Sequence, residues 1–167
     1  IPEVNLKDEF GNYKSRKYKI KFSPDLVTGA AGYNTFFGFQ GYTSFAFSDL
    51  LGDHQIFLNA SLWTDLRNSN FALVYYYLKR RINYGMGGFH LVYLLSDGFS
   101  ILRYRNYGIN FTASYPTSRF DRLDLLFIWY NVSLEYLDFN TPTETVSAIL
   151  PELQYVHDNV LWGTRWG

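Results

Sequence analysis

The stretch Tyr104–Tyr115, YRNYGINFTASY, decides the fold class of this chain. From Tyr107 to Tyr115 the odd-numbered positions are apolar or aromatic, whereas the even-numbered positions carry Gly, Asn, Thr and Ser. Side chains of a β-strand alternate between two faces with a period of two residues. The stretch therefore predicts a strand with one apolar face and one small, uncharged polar face.

The same period extends outward along most of the chain, and no segment has a convincing helical period. We expect about eight antiparallel strands in one all-β domain over residues 1–167, with turn-rich connections that include Ser23–Gly32. The one helix candidate, Thr143–Leu150, is short and next to prolines, so we interpret it as a turn or loop. The predicted strands are Lys17–Ser23, Thr35–Asp49, His54–Thr64, Phe71–Arg80, Ile82–Leu95, Tyr104–Tyr115, Leu126–Tyr136 and, more weakly, Ala148–Trp162.

The composition excludes several classes of protein. Of 167 residues, 47% are hydrophobic, 20% aromatic and only 18% charged, and Lys+Arg 15 balances Asp+Glu 15. Such a chain can bury enough apolar surface to fold, and its zero net charge does not suit a nucleic-acid partner. There is no cysteine, and His54, His90 and His157 lack the spacing of metal ligands. We expect no catalytic residue, no cofactor and no metal.

The composition of the two strand faces indicates which face meets water. The polar faces carry amides, hydroxyls and glycine, and the charged residues gather at the ends of the strands. In a soluble sheet the polar face is charged, whereas a membrane barrel turns its apolar face to lipid and its polar face to the lumen. We predict an antiparallel up-and-down transmembrane β-barrel, or part of one. The predicted lumen residues are Gln40, Ser44, Asn59, Ser61, Asn110, Thr112, Asn131, Ser133 and Glu135, and the predicted lipid-facing residues are Phe37, Phe45, Phe47, Ile56, Leu58, Ile109, Phe111, Ile128 and Val132.

Two alternatives stay open at this point. A soluble barrel of lipocalin type would bind an apolar ligand and would turn its phenylalanines inward. A soluble β-sandwich interaction module would have no ligand cavity. The lipocalin alternative predicts that Phe37, Phe39, Phe45, Phe47, Ile109 and Phe111 lie inside.

Five short segments carry a resemblance to a known family. Residues Tyr18–Asp25 read YKIKFSPD, Phe47–His54 read FSDLLGDH after a Phe36-Phe37-Gly38 segment, and Tyr155–Asn159 precede Leu161-Trp162-Gly163. The chain resembles the C-terminal barrel domain of bacterial exported proteins with TolB-like β-propeller repeats, which is similar to surface-antigen-type outer-membrane barrels. It departs from that family in two ways: it carries no propeller repeat, and no terminal aromatic strand follows Trp162–Gly167.

The resemblance implies a place in the bacterial outer membrane and a role without catalysis. The function would be that of a membrane anchor, a porin-like pore or an assembly component. The partners would be outer-membrane lipids and other envelope protein subunits, with no nucleic acid. Whether the chain is one segment of a larger barrel or a small eight-stranded barrel stays open.

Overall fold

The computed structural model describes residues 18–35, 38–96, 98–138 and 142–158, and these form one antiparallel sheet of eight strands. Each strand pairs with the next one along the chain, so the order in the sheet is the order in the sequence. The strands are β1 Phe22–Asn34, β2 Gly38–Asp49, β3 His54–Trp63, β4 Asn70–Tyr77, β5 Asn83–Ser96, β6 Ile101–Pro116, β7 Asp121–Tyr136 and β8 Glu144–His157.

The sheet is a meander that is not closed. Among the described residues β1 pairs only with β2, and β8 pairs only with β7. All 13 residues of β1 are exposed, and β8 is exposed at nearly every position, so both edges are uncovered. The all-β class, the meander and the eight strands predicted from the sequence are confirmed, whereas closure into a barrel is not observed.

Two predicted boundaries are wrong at the edges of the sheet. Residues Ser23–Gly32, expected to be turn-rich, lie within β1, and the predicted strand Lys17–Ser23 contributes only its last two residues. Small side chains such as Thr28, Ala30 and Ala31 give no apolar alternation, but their backbone pairs with β2 regardless. Thr143–Leu150, expected to be a turn or loop, mostly belongs to β8, because pairing with β7 satisfies its backbone.

A single 3-10 helix, Leu66–Asn68, is found in the described residues, in a stretch where the sequence predicts no helix. The Asp65 side chain caps it by accepting a hydrogen bond from the backbone N–H of Arg67 at 3.0 Å. Ser69, which follows it, is fully buried, and its hydroxyl oxygen accepts a hydrogen bond from the backbone N–H of Trp63 at 2.9 Å. This connection packs beside β3 and β5.

The pairing register divides the side chains between two faces of the sheet. Directly paired residues of antiparallel strands point to the same side, and their neighbours along the strand point to the other. We call the side that carries Phe45, Leu58 and Ile109 the belt face, and the side that carries Gly87 and Gly108 the glycine face.

Burial in the middle of β6 and β7 indicates that this part of the sheet curves toward the glycine face. On β6 every residue of the glycine face is half-buried, whereas Tyr107, Ile109 and Phe111 on the belt face are exposed. The described strands contact only their sheet neighbours and the 3-10 helix, so no second layer of strands accounts for this difference. Close approaches at Gly108 and Gly85 fit such curvature: a Cβ at Gly108 would lie 2.8 Å from Cα of Tyr130, and one at Gly85 would lie 2.8 Å from the Tyr76 ring.

Candidate functional site

The belt face carries an apolar band that crosses all eight strands without interruption. Two adjacent register rows make up this band, which we call the apolar belt, and neither row contains a charged or amide side chain. The first row is Val27, Phe45, Leu58, Leu73, Gly88, Ile109, Trp129 and Ile149. The second row is Pro24, Phe47, Ile56, Tyr75, Met86, Phe111, Phe127 and Pro151.

Much of the apolar belt is exposed. Met86 is 63% exposed, Ile109 55% and Ile149 61%, although a soluble protein normally covers such side chains. Contiguous apolar patches beyond a few hundred Å² mark interaction or membrane surfaces. The belt is therefore the candidate functional surface of the sheet.

Tyrosine side chains border the belt at the end of the sheet where β4 turns into β5 and β6 into β7. Tyr77 pairs with Tyr84 in the next register row, and Tyr115 lies one row further on. At the opposite border Tyr107 precedes the first charged side chain of the face, Arg105. Tyr107 and Tyr115 are separated by about 27 Å along β6, which becomes about 21 Å for a strand tilted by about 40°; a membrane barrel has an apolar band of about 25 Å.

Most of the predicted lipid-facing residues share one face of the sheet, and most of the predicted lumen residues share the other. Of the predicted lipid-facing set, Phe45, Phe47, Ile56, Leu58, Ile109 and Phe111 lie together in the apolar belt, and Phe37 lies outside the described residues. Of the predicted lumen set, Gln40, Ser44, Asn59, Ser61, Asn110 and Thr112 lie together on the glycine face. There the Ser44 hydroxyl donates a hydrogen bond to Oδ1 of Asn59 at 2.7 Å.

On β7 the predicted grouping is wrong. Ile109 pairs with Trp129 and Asn110 pairs with Ile128, so Ile128 and Val132 lie on the glycine face with the amides of β6. Asn131, Ser133 and Glu135 lie on the belt face, beyond the end of the apolar belt. The nine residues predicted to share a lumen therefore divide between opposite faces, and so do the predicted lipid-facing residues.

One of the misplaced polar residues of β7, Glu135, belongs to a charged network on the belt face, whereas Asn131 accepts a hydrogen bond from the Ser147 hydroxyl of β8. Arg103, only 6% exposed, donates hydrogen bonds from Nε to Oδ1 of Asn68 at 2.9 Å and from Nη1 to Oε2 of Glu135 at 3.0 Å. Arg105 reaches the same Glu135 oxygen at 3.2 Å, and Asp65 lies 3.7 Å from Arg103. Because a buried charge requires partners, Glu135 serves to pair the two arginines of β6.

A second polar cluster holds the turn between β6 and β7, at the tyrosine border. Oδ1 of Asp121 accepts hydrogen bonds from the Tyr155 hydroxyl at 2.5 Å and from Nδ1 of His157 at 2.6 Å, and Oδ2 accepts one from the Ser118 hydroxyl at 2.5 Å. Asp121 lies outside the apolar belt, at the first residue of β7. The bonds from His157, Ser118 and Tyr155 hold the pKa of Asp121 well below its ordinary value of 3.8.

Within the described residues no group of three or more His, Asp or Glu side chains could hold a metal ion. His54 and His90 are bound to neighbours, with Nδ1 of His54 2.6 Å from the Tyr75 hydroxyl and Nδ1 of His90 2.9 Å from the Ser69 carbonyl oxygen. No helix in the described part of the chain is long and apolar enough to cross a membrane.

Five of the six residues that the lipocalin alternative places inside lie on one face of the sheet, and the sixth, Phe37, is outside the described residues. Phe39, Phe45, Phe47, Ile109 and Phe111 share the belt face, and Phe39 is 48% exposed. Comparisons with protein-family models, curated proteins and solved structures find no match to this chain.

Proposed function

We propose that this chain forms the membrane-embedded wall of a β-barrel in the bacterial outer membrane, with the apolar belt against the lipid. The main observation behind the proposal is the uninterrupted apolar band across all eight strands, ten of whose sixteen residues are exposed. Two adjacent register rows of eight positions without a charged or amide side chain would be an aggregation hazard in water, whereas the acyl chains of lipids can cover them. The family resemblance of the sequence agrees with this location.

Within that membrane, an anchor or assembly role is better supported than an open pore. A water-filled lumen is lined with polar side chains. The glycine face carries amides on β2, β3 and β6, but β7 presents Leu126, Ile128, Val132 and Leu134 to the same side. An aliphatic stripe of this kind suits an interior filled by side chains or by another envelope protein.

The absence of cysteine allows a direct test with single-cysteine variants and an environment-sensitive fluorophore. After refolding into lipid vesicles, labels at Ile109→Cys and Leu73→Cys should be quenched by a quencher attached to lipid tails. Labels at their chain neighbours Asn110→Cys and Ala72→Cys, on the opposite face, should not be quenched by the quencher on the lipid tails. Equal quenching at both members of each pair, or a chain that stays monodisperse at high concentration in buffer without detergent, would refute the proposal.

The proposal also requires the sheet to close. An open edge in hydrocarbon leaves backbone N–H and C=O groups without partners, which costs several kcal/mol each. The first and last strands of a flat sheet of eight would lie about 34 Å apart, from seven spacings of about 4.8 Å. Spin labels at Val27→Cys and Ile149→Cys, diluted with unlabelled protein in vesicles, should report a much shorter distance. A distance near the flat-sheet value would contradict closure of β1 onto β8.

A further inference from the structure

The turn between β4 and β5 carries a row of three cations, Lys79-Arg80-Arg81, next to the tyrosine border of the apolar belt. All three residues are exposed. The guanidinium carbon of Arg81 lies 4.9 Å from the centre of the Tyr115 ring, and Nη2 of Arg81 donates a hydrogen bond to the Pro116 carbonyl oxygen at 3.2 Å. Tyr115 lies on the belt face, so Arg81 is fixed at the rim of the belt.

Nearby carboxylates pair with other groups and do not neutralise Arg80 or Arg81. Asp121 is bound by Ser118, Tyr155 and His157, and Asp124 lies 2.8 Å from Nε of Arg122. Asp53 lies 3.9 Å from Nζ of Lys79. In the described part of the chain, Arg80 and Arg81 are in no ion pair, so their charges are available to an outside anion.

We propose that Arg80 and Arg81 form a binding site for the phosphate head groups of anionic phospholipids at this border of the membrane. This inference rests on the proposed function. It assigns the end of the sheet that carries the β4–β5 turn to one surface of the membrane. Arginine pairs with phosphate through several N–H donors. An aromatic ring that already holds the guanidinium in place reduces the conformational entropy that is lost on binding. A lipid whose tails contact Phe111 and Tyr84, which lie in adjacent register rows, would have its head group at the height of Arg81.

The test measures folding in vesicles of phosphatidylcholine alone and in vesicles that also contain phosphatidylglycerol. Each variant carries the label at Ile109→Cys, so that insertion of the belt is followed independently of the rim. We expect phosphatidylglycerol to raise the folding equilibrium constant of the parent chain. Arg80→Gln and Arg81→Gln should each reduce that gain by about fivefold, and Arg81→Lys should retain part of it.

Arg67→Gln is the matched control, because Arg67 is an exposed arginine at the opposite end of the sheet, in the 3-10 helix. It should leave most of the gain intact. Equal gains for the parent chain and for the Arg80→Gln, Arg81→Gln double variant would overturn the site, and so would an equal loss in Arg67→Gln. If the label at position 109 is not quenched by lipid in any variant, the proposed function itself fails and the site falls with it.

Discussion

Of the glycines on β5 and β6, Gly108 leaves the least room for a side chain. A Cβ added there would lie 2.8 Å from both Cα and Cβ of Tyr130 and would collide with the Trp129 carbonyl oxygen. The obstructing atoms are mostly backbone, so the two strands must separate or flatten. Overpacking of this kind costs about 1–3 kcal/mol, which exceeds the stabilisation of about 0.4–1 kcal/mol that Gly→Ala brings through the unfolded state.

Gly88 provides the matched comparison on the adjacent strand. A Cβ at Gly88 would meet only the Gly108 carbonyl oxygen at 3.6 Å and the Ile109 side chain at 4.0 Å, which are ordinary contacts. Urea unfolding in detergent micelles, followed by tryptophan fluorescence, should show a lower midpoint for Gly108→Ala and an unchanged or slightly higher midpoint for Gly88→Ala. If both variants unfold at the midpoint of the parent chain, the inward curvature at β6 and β7 is refuted.

Three further predictions follow from the two polar clusters and from the corrected face of β7. Glu135→Ala should lower the free energy of unfolding by about 1–3 kcal/mol, less than for a fully buried pair because the Glu135 side chain is 27% exposed. The exposed Glu144→Ala should change it by less than about 0.5 kcal/mol, and equal effects in urea unfolding would contradict the pairing role. Because folding lowers the pKa of Asp121, its contribution to stability is present above the ordinary pKa of 3.8 and is lost as the pH falls below it. Unfolding midpoints of Asp121→Asn should thus fall less steeply on acidification than those of the parent chain, and identical slopes would exclude the contribution. A fluorophore at Ile128→Cys should behave like one at Asn110→Cys and resist the lipid quencher; quenching equal to that at Ile109→Cys would overturn the register of β6 and β7.

The existence of the strands is readable from the sequence, because alternation is a local property of each strand. The relation between strands is not local. Pro116 pairs with Arg122 across the β6–β7 turn, and a turn longer or shorter by one residue would exchange the faces of β7 relative to β6. Polarity alone groups Asn131 with Asn110, because nothing in the sequence reveals that Asn131 bonds to Ser147 of β8 or that Glu135 pairs with the arginines of β6. The strand β1 was missed for a different reason: its small residues carry no apolar pattern, and only pairing with β2 holds it.

The positions of the prolines bear on how the wall would close. Proline cannot donate to a β-ladder, and it is accepted in edge strands, at the ends of strands or at bulges. Pro24, next to a register shift in β1, and Pro151, in the middle of β8, therefore mark the two strands that the structure places at the edges of the sheet. A join between β1 and β8 would lack the donors of both residues, so it would be the weakest seam of the wall in terms of hydrogen bonds. The exposed apolar side chains of Val27 and Ile149 lie on the belt face beside this seam, so in the proposed wall lipid would have to cover them.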